Sequence, residues 1–147
     1  MEKVDKFLNN KGYRDMTAIM FDEYGNMGTF TYVRKQDGVL IYPEKMTVRV
    51  GLDNGEVTGF QASDYVYEHR EDRAVPKGKL SLQEARKMLN NEFKEDYSRK
   101  ALIEDEFSKE VLCYEFGGNV NGSSYRIYIN ADNGSEVSVE EVRTPIK

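Results

Sequence analysis

The sequence predicts an α+β fold built from two tandem units of about 80 residues, each a helix laid on an antiparallel sheet. Three observations carry that expectation. Leu52-Asp53-Asn54-Gly55-Glu56-Val57 returns as Ala131-Asp132-Asn133-Gly134-Ser135-Glu136-Val137. Phe7-Leu8-Asn9-Asn10 returns as Met88-Leu89-Asn90-Asn91, and Phe30-Thr31-Tyr32 as Leu112-Cys113-Tyr114. The three matches keep their order at offsets of 79, 81 and 82 positions. A duplication at one period sets the organisation: residues 1–72 form the first unit, 73–80 a charged linker, and 81–147 the second unit.

The first unit opens on a helix in which Val4, Phe7 and Leu8 correspond to Ala85, Met88 and Leu89. It lacks the turn that would precede Met1, so the chain reads as a fragment cut inside or just before a helix. The sheet face left uncovered there offers a route to a homodimer or to exchange with a neighbouring chain. Strands follow at Thr17–Tyr24, Met27–Lys35 and Val39–Tyr42, punctuated by Gly25-Asn26 and Asp37-Gly38, both good turn formers. Met46–Leu52 alternates, with Val48, Val50 and Leu52 on one face, and Asp53-Asn54-Gly55 turns the chain into Glu56–Phe60. A short helix is expected within Gln61–His69.

The second unit has a clear helix start. Ser81-Leu82-Gln83-Glu84 fits a capping box, and Leu82, Ala85, Met88, Leu89 and Phe93 fall on one apolar stripe. Strands are expected at Lys100–Asp105, Glu110–Phe116, Tyr125–Ala131 and Glu136–Val142. Leu112, Tyr114 and Phe116 share one face, as do Ile127, Ile129 and Ala131.

Composition narrows the function. With 39% hydrophobic and 32% charged residues the chain is globular and not disordered. Net charge is −5, and neither half carries the basic field that phosphate neutralisation requires, so nucleic acid is not an expected partner. One cysteine, Cys113, rules out an internal disulfide and a thiolate metal cluster. No run of 18 apolar residues is present.

The residues then carry a family resemblance. A helix followed by strands, with a hydrophobic strand running into Asp-Asn-Gly-Glu-Val, resembles the PepSY repeat of metallopeptidase propeptides and of the YpeB-type spore-germination family. Val39-Leu40-Ile41-Tyr42-Pro43-Glu44, Val50 through Phe60, and Asp64-Tyr65 are similar to the penultimate repeat of that germination family. Glu110 through Phe116 and Tyr125 through Ala131 are similar to its last one. The likeness covers about residues 10–142. It implies a non-enzymatic module that stabilises, localises or restrains a partner cortex-lytic peptidoglycan hydrolase. It also implies a full-length protein anchored in the membrane, with its repeats on the outer side of the spore's inner membrane. A peptidase inhibitor or propeptide-like chaperone is the alternative, and a carboxylate-based hydrolase the third reading.

No catalytic residue, cofactor site or metal site is expected. Asp22-Glu23 and Glu104-Asp105-Glu106 are acid–base candidates on paper, but solvated turns and strand ends explain them better. His69, the lone histidine, cannot furnish the two-histidine sets of metallohydrolases, and a structural role is expected. Cys113 corresponds to the small Thr31 and is expected to pack. Gly117 to Gly122 leads into a strand, so it reads as a hairpin loop and not a phosphate loop. Tyrosine stands out, with 10 copies. Tyr65 and Tyr67, just ahead of the linker, are expected to pack one repeat on the other or to face a partner.

Overall fold

The computed structural model describes residues 2–71 and 73–142. Its elements run α1 (Glu2–Asn10), β1 (Met16–Tyr24), β2 (Met27–Gln36), β3 (Val39–Gly51), β4 (Val57–Gln61), α2 (Ser63–Glu68), α3 (Leu82–Arg86), β5 (Lys94–Glu104), β6 (Glu110–Val120), β7 (Ser123–Asn130) and β8 (Glu136–Glu141). The fold is mixed helix and sheet, dominated by one eight-stranded sheet in the order β1-β2-β3-β5-β6-β7-β8, with β4 also paired to β3. Neighbouring strands are antiparallel except β3 and β5, which join in parallel at Val39–Ile41 and Lys100–Leu102. That pairing fuses what sequence patterning treats as two separate sheets.

Three cores result. On the front of the first half, Val4 and Leu8 of α1 pack on Phe30, Tyr32, Met46, Val48 and Val50. On the front of the second half, Ala85 and Phe93 cover Leu102, Leu112, Phe116, Ile127 and Ile129. The back of the second half is buried as well: Ala101, Cys113 and Tyr128 pack with Ile19, Val33 and Leu40 of the first. The sheet therefore curls back on itself. Bulges make this curl by bending strands and raising their twist. They interrupt pairing between Ala18 and Met20, between Glu95 and Tyr97, and between Tyr128 and Ile129.

Three sequence expectations are corrected. Val39–Tyr42 and Met46–Leu52 are one strand, β3, that runs through Pro43. The register against β2 jumps from Val33↔Lys45 to Arg34↔Ile41, so Pro43 sits in a bulge where it owes no ladder hydrogen bond. The second-unit helix does not extend to Phe93 but ends at Arg86, and tighter turns follow: Met88 N–H donates to Ala85 and Leu89 N–H to Arg86. The stripe is thus broken, with Ala85 and Phe93 buried but Met88 56% exposed. Its start is as expected, with Ser81 and Glu84 forming the reciprocal capping box. Finally, Gly117 and Gly118 belong to β6, and only Asn121-Gly122 form the turn.

These strand glycines are there for close approach. A Cβ on Gly117 would run into the Tyr97 ring, and one on Gly118 into the Lys94 carbonyl. Gly117→Ala is expected to destabilise the fold by about 1–3 kcal/mol through overpacking, read as a lower urea midpoint with unchanged m. An unchanged midpoint would mean that the Tyr97 ring yields freely.

Candidate functional site

Two charged networks lie inside the molecule, both where the halves meet. The first is built on Glu44, which the β3 bulge turns into a fully buried position. Its carboxylate accepts from His69 Nδ1 at 2.6 Å, from Arg73 Nε at 2.7 Å and from Arg34 Nη1 at 3.4 Å. Arg73, just past α2, donates also to Glu110 at 2.6 and 2.7 Å and to the Glu68 carbonyl at 2.6 Å. One guanidinium therefore clamps β3 of the first half to β6 of the second. Gln36 completes the network by donating to the Arg73 carbonyl at 2.8 Å.

The second network is built on Glu115, mid-strand in β6 and fully buried. It accepts from Tyr97 Oη at 2.8 Å, from Arg99 Nε at 2.8 Å and from the Tyr42 hydroxyl. Tyr42 meets Tyr128 edge-on at 5.8 Å between ring centroids. Nearby, the buried Arg126 donates to the carbonyl of Ile19, the residue that the β1 bulge takes out of register. Among the described residues no buried side-chain polar atom lacks a partner. An unpaired buried charge costs several kcal/mol, so this satisfaction is what makes the networks tolerable.

The same burial shifts protonation. Desolvation, followed by the negative charge of Glu115, pushes Tyr97 up to about 12 and Tyr42 higher still. Burial and then Tyr42 raise Tyr128, while burial and the bond to Asp5 raise Tyr32. Desolvation alone pushes the Cys113 thiol up to about 12. Each folded value lies above its ordinary one of 9.0 for cysteine or 10.0 for tyrosine. Their contribution to stability is thus complete below those values and drains away as pH rises, because the unfolded chain ionises first. Stability is expected to fall from about pH 9–10 upward, with these tyrosines ionising only as the protein unfolds. An absorbance titration at alkaline pH checks this; reversible ionisation of all ten tyrosines in the folded protein would contradict it.

The residues singled out from sequence are dispersed. Tyr65 turns inward, stacking on His69 at 4.7 Å and meeting Tyr13 edge-on at 5.2 Å, against the first core. Tyr67 points away and is 85% exposed, with Val66 beside it. The two tyrosines therefore do not form one surface. His69 serves the Glu44 network, and Cys113 is buried in the back core. Asp22-Glu23 lie exposed at the end of β1, and Glu104 to Glu106 at the end of β5, where Asp105 accepts from the Phe107 and Lys109 amides. Of these acids, Glu104 lines an open groove together with Asp64, Glu68 and Glu140. That groove, of about 320 Å³, separates α2 from β7 and β8, and Tyr42, Lys45 and Tyr128 line it beside these four carboxylates. Residues 73–80, expected as a linker, are held by Arg73, by Val75 on the second core, and by the Lys79 and Leu80 amides on the Ala131 carbonyl.

Glu44, Arg73, Glu115 and Arg126 went unflagged by sequence reasoning. A signal existed for Glu115 and Arg126, charged residues flanked on both sides by apolar strand positions.

A mixed fold dominated by one β-sheet, with short helices packed on it, is the form of a PepSY-domain protein, and the family comparisons agree. The model described as YpeB sporulation, PepSY1 and PepSY2 domains matches residues 1–76, and the one described as Peptidase propeptide and YPEB domain matches residues 79–140. The chain belongs to the YpeB sporulation family. It is 38% identical over 141 residues to Sporulation protein YpeB of Oceanobacillus iheyensis and 39% identical over 139 residues to that of Bacillus subtilis. These matches cover 96% and 93% of the chain, which spans 31% of either relative's length. The solved Bacillus megaterium YpeB C-terminal domain superposes with a TM-score of 0.92 at 39% identity, covering 98% of this chain and 64% of that one.

Proposed function

We propose that this chain is a non-catalytic protein-binding module of spore germination, made of two tandem PepSY-like units, that stabilises, localises or restrains a cortex-lytic peptidoglycan hydrolase. The observation that carries the reading is the match to YpeB sporulation proteins along nearly the whole chain. The networks support it in that Glu44 and Glu115 accept from arginine, histidine and tyrosine donors and so serve to hold the two halves together. In this reading the full-length protein is anchored in the membrane and displays the module on the outer side of the spore's inner membrane. The docking surface is α2 with its outward Tyr67 and Val66, beside the groove of Asp64 and Glu68.

The mechanism is mass action. A module that binds only the folded hydrolase stabilises it by about 2.7 kcal/mol at a hundredfold excess over Kd, and it inhibits if the contact overlaps the cleft. The hydrolase is therefore expected to melt several degrees higher in the presence of this chain, with Tyr67→Ala losing most of that gain while leaving the module's own Tm unchanged. A hydrolase melt indifferent to the chain would sink the proposal. The words peptidase propeptide in the second family description favour one competing reading, a peptidase inhibitor. Nanomolar inhibition of a metallopeptidase would select it.

A further inference from the structure

We propose that Asn121 is a site of spontaneous covalent modification, at which the side-chain amide is lost to the neighbouring Gly122 nitrogen and the tip of the β6–β7 hairpin becomes aspartate or isoaspartate. Asparagine is followed by glycine at three places in the chain, Asn54-Gly55, Asn121-Gly122 and Asn133-Gly134. Glycine has no Cβ to obstruct ring closure and adopts either sign of φ, so the three pairs share one intrinsic chemistry. The fold separates them.

Two of the pairs are pinned. Gly55 and Gly134 donate their amides to the Gly51 and Asn130 carbonyls, at 2.8 and 2.9 Å. Asn54 Oδ1 accepts from the Glu56 amide at 2.8 Å, and Asn133 Oδ1 from the Ser135 amide at 2.9 Å. The attacking nitrogen and the side-chain amide are thus both engaged, and neither turns on the other without breaking two hydrogen bonds. Asn121 and Gly122, by contrast, are the two-residue loop between the paired Val120 and Ser123. The ladder ends at that pair, and among the described residues neither the Gly122 amide nor the Asn121 side chain has a hydrogen-bond partner. Both residues are exposed, and a Cβ on Gly122 would meet nothing within 4 Å, so water reaches the site.

The backbone suits the closure as well. Asn121 and Gly122 hold φ of +50° and +85°, the signs of a type I′ turn. Flipping the peptide between them gives a type II′ turn, which keeps φ positive at the first loop residue and closes the same two-residue hairpin. That flip swings the Gly122 nitrogen about the Asn121 Cα–C bond while the strands stay paired. The nitrogen gives up its proton and bonds to Asn121 Cγ, and the side-chain nitrogen leaves with a proton as ammonia. Water then opens the succinimide. Addition at Cγ leaves aspartate, whereas addition at the main-chain carbonyl leaves isoaspartate, whose extra main-chain methylene does not fit a two-residue turn. Either product carries one further negative charge. The inference rests on the hairpin and is independent of the hydrolase.

Peptide mapping by mass spectrometry, on the folded chain held at mildly alkaline pH, tests this, because the three pairs fall in separate tryptic peptides. Asn121 is expected to convert at least about tenfold faster than Asn54 or Asn133, each of which must first break two hydrogen bonds of ordinary net worth. The advantage should vanish in denaturant, where all three pairs are released. Asn121→Gly, which keeps a favoured hairpin sequence, should remove nearly all the isoaspartate that an isoaspartyl methyltransferase labels in the folded chain. Conversion of Asn54 or Asn133 as fast as Asn121 in the folded chain would overturn the proposal. So would a preference for Asn121 that persists unchanged in denaturant, since the local sequence and not the fold would then set it.

Discussion

Replacing Glu115 by alanine is expected to cost about 3–5 kcal/mol, the range for breaking a buried ion pair from one side. The carboxylate is fully buried and balances Arg99 while accepting from Tyr97 and Tyr42. Its loss leaves a guanidinium without a counter-charge and two phenols without their acceptor. Against a total stability of about 5–15 kcal/mol, that is a loss of about a fifth or more. Urea unfolding measures it directly. Glu115→Gln, which keeps an acceptor but not the charge, should fall between wild type and alanine. A cost below about 1 kcal/mol would mean that water takes over the role of Glu115, as it does for an exposed pair.

Arg73→Ala is expected to cost a similar 3–5 kcal/mol, with a different signature. Arg73 is the side chain that holds Glu44 of β3 and Glu110 of β6 together, and its side chain is 2% exposed. Removing it strands Glu44 with His69 and the more distant Arg34. The loss should concentrate at the seam between the halves, so amides of the short parallel β3–β5 pairing at Leu40, Ala101 and Leu102 exchange first. A Glu44→Leu change on the Arg73→Ala background should recover part of the stability, giving a coupling of at least about 1 kcal/mol in a double-mutant cycle. Strict additivity of the two changes would contradict the clamp.

Local patterns made much of the fold legible. Alternation within β2, β6 and β7, the Asn-Gly and Asp-Gly turns, and the Ser81–Glu84 box each depend on residues close in sequence. The misses depend on distant partners. Nothing near Pro43 announces that β3 continues through it, because the bulge that excuses proline is defined by the register against β2. The parallel seam at Val39–Ile41 joins segments some 60 residues apart. Glu115 lies on the sheet face opposite Leu112, Tyr114 and Phe116, which reads as the wet side until the curl brings Ile19 and Val33 over it. Glu44 and Arg73 read as solvated charges for the same reason. Tyr65 and Tyr67 are neighbours in sequence but one helical position sends a ring inward and the other out, which composition alone does not resolve.

The measurement that tests the functional account most directly is a calorimetric titration of the purified cortex-lytic hydrolase with this chain, with release of muropeptides from cortex peptidoglycan followed in parallel. The account predicts saturable heat at a defined stoichiometry, and no muropeptide release by this chain alone. No heat at tens of micromolar, or cortex cleavage by the chain in the absence of the hydrolase, would contradict it.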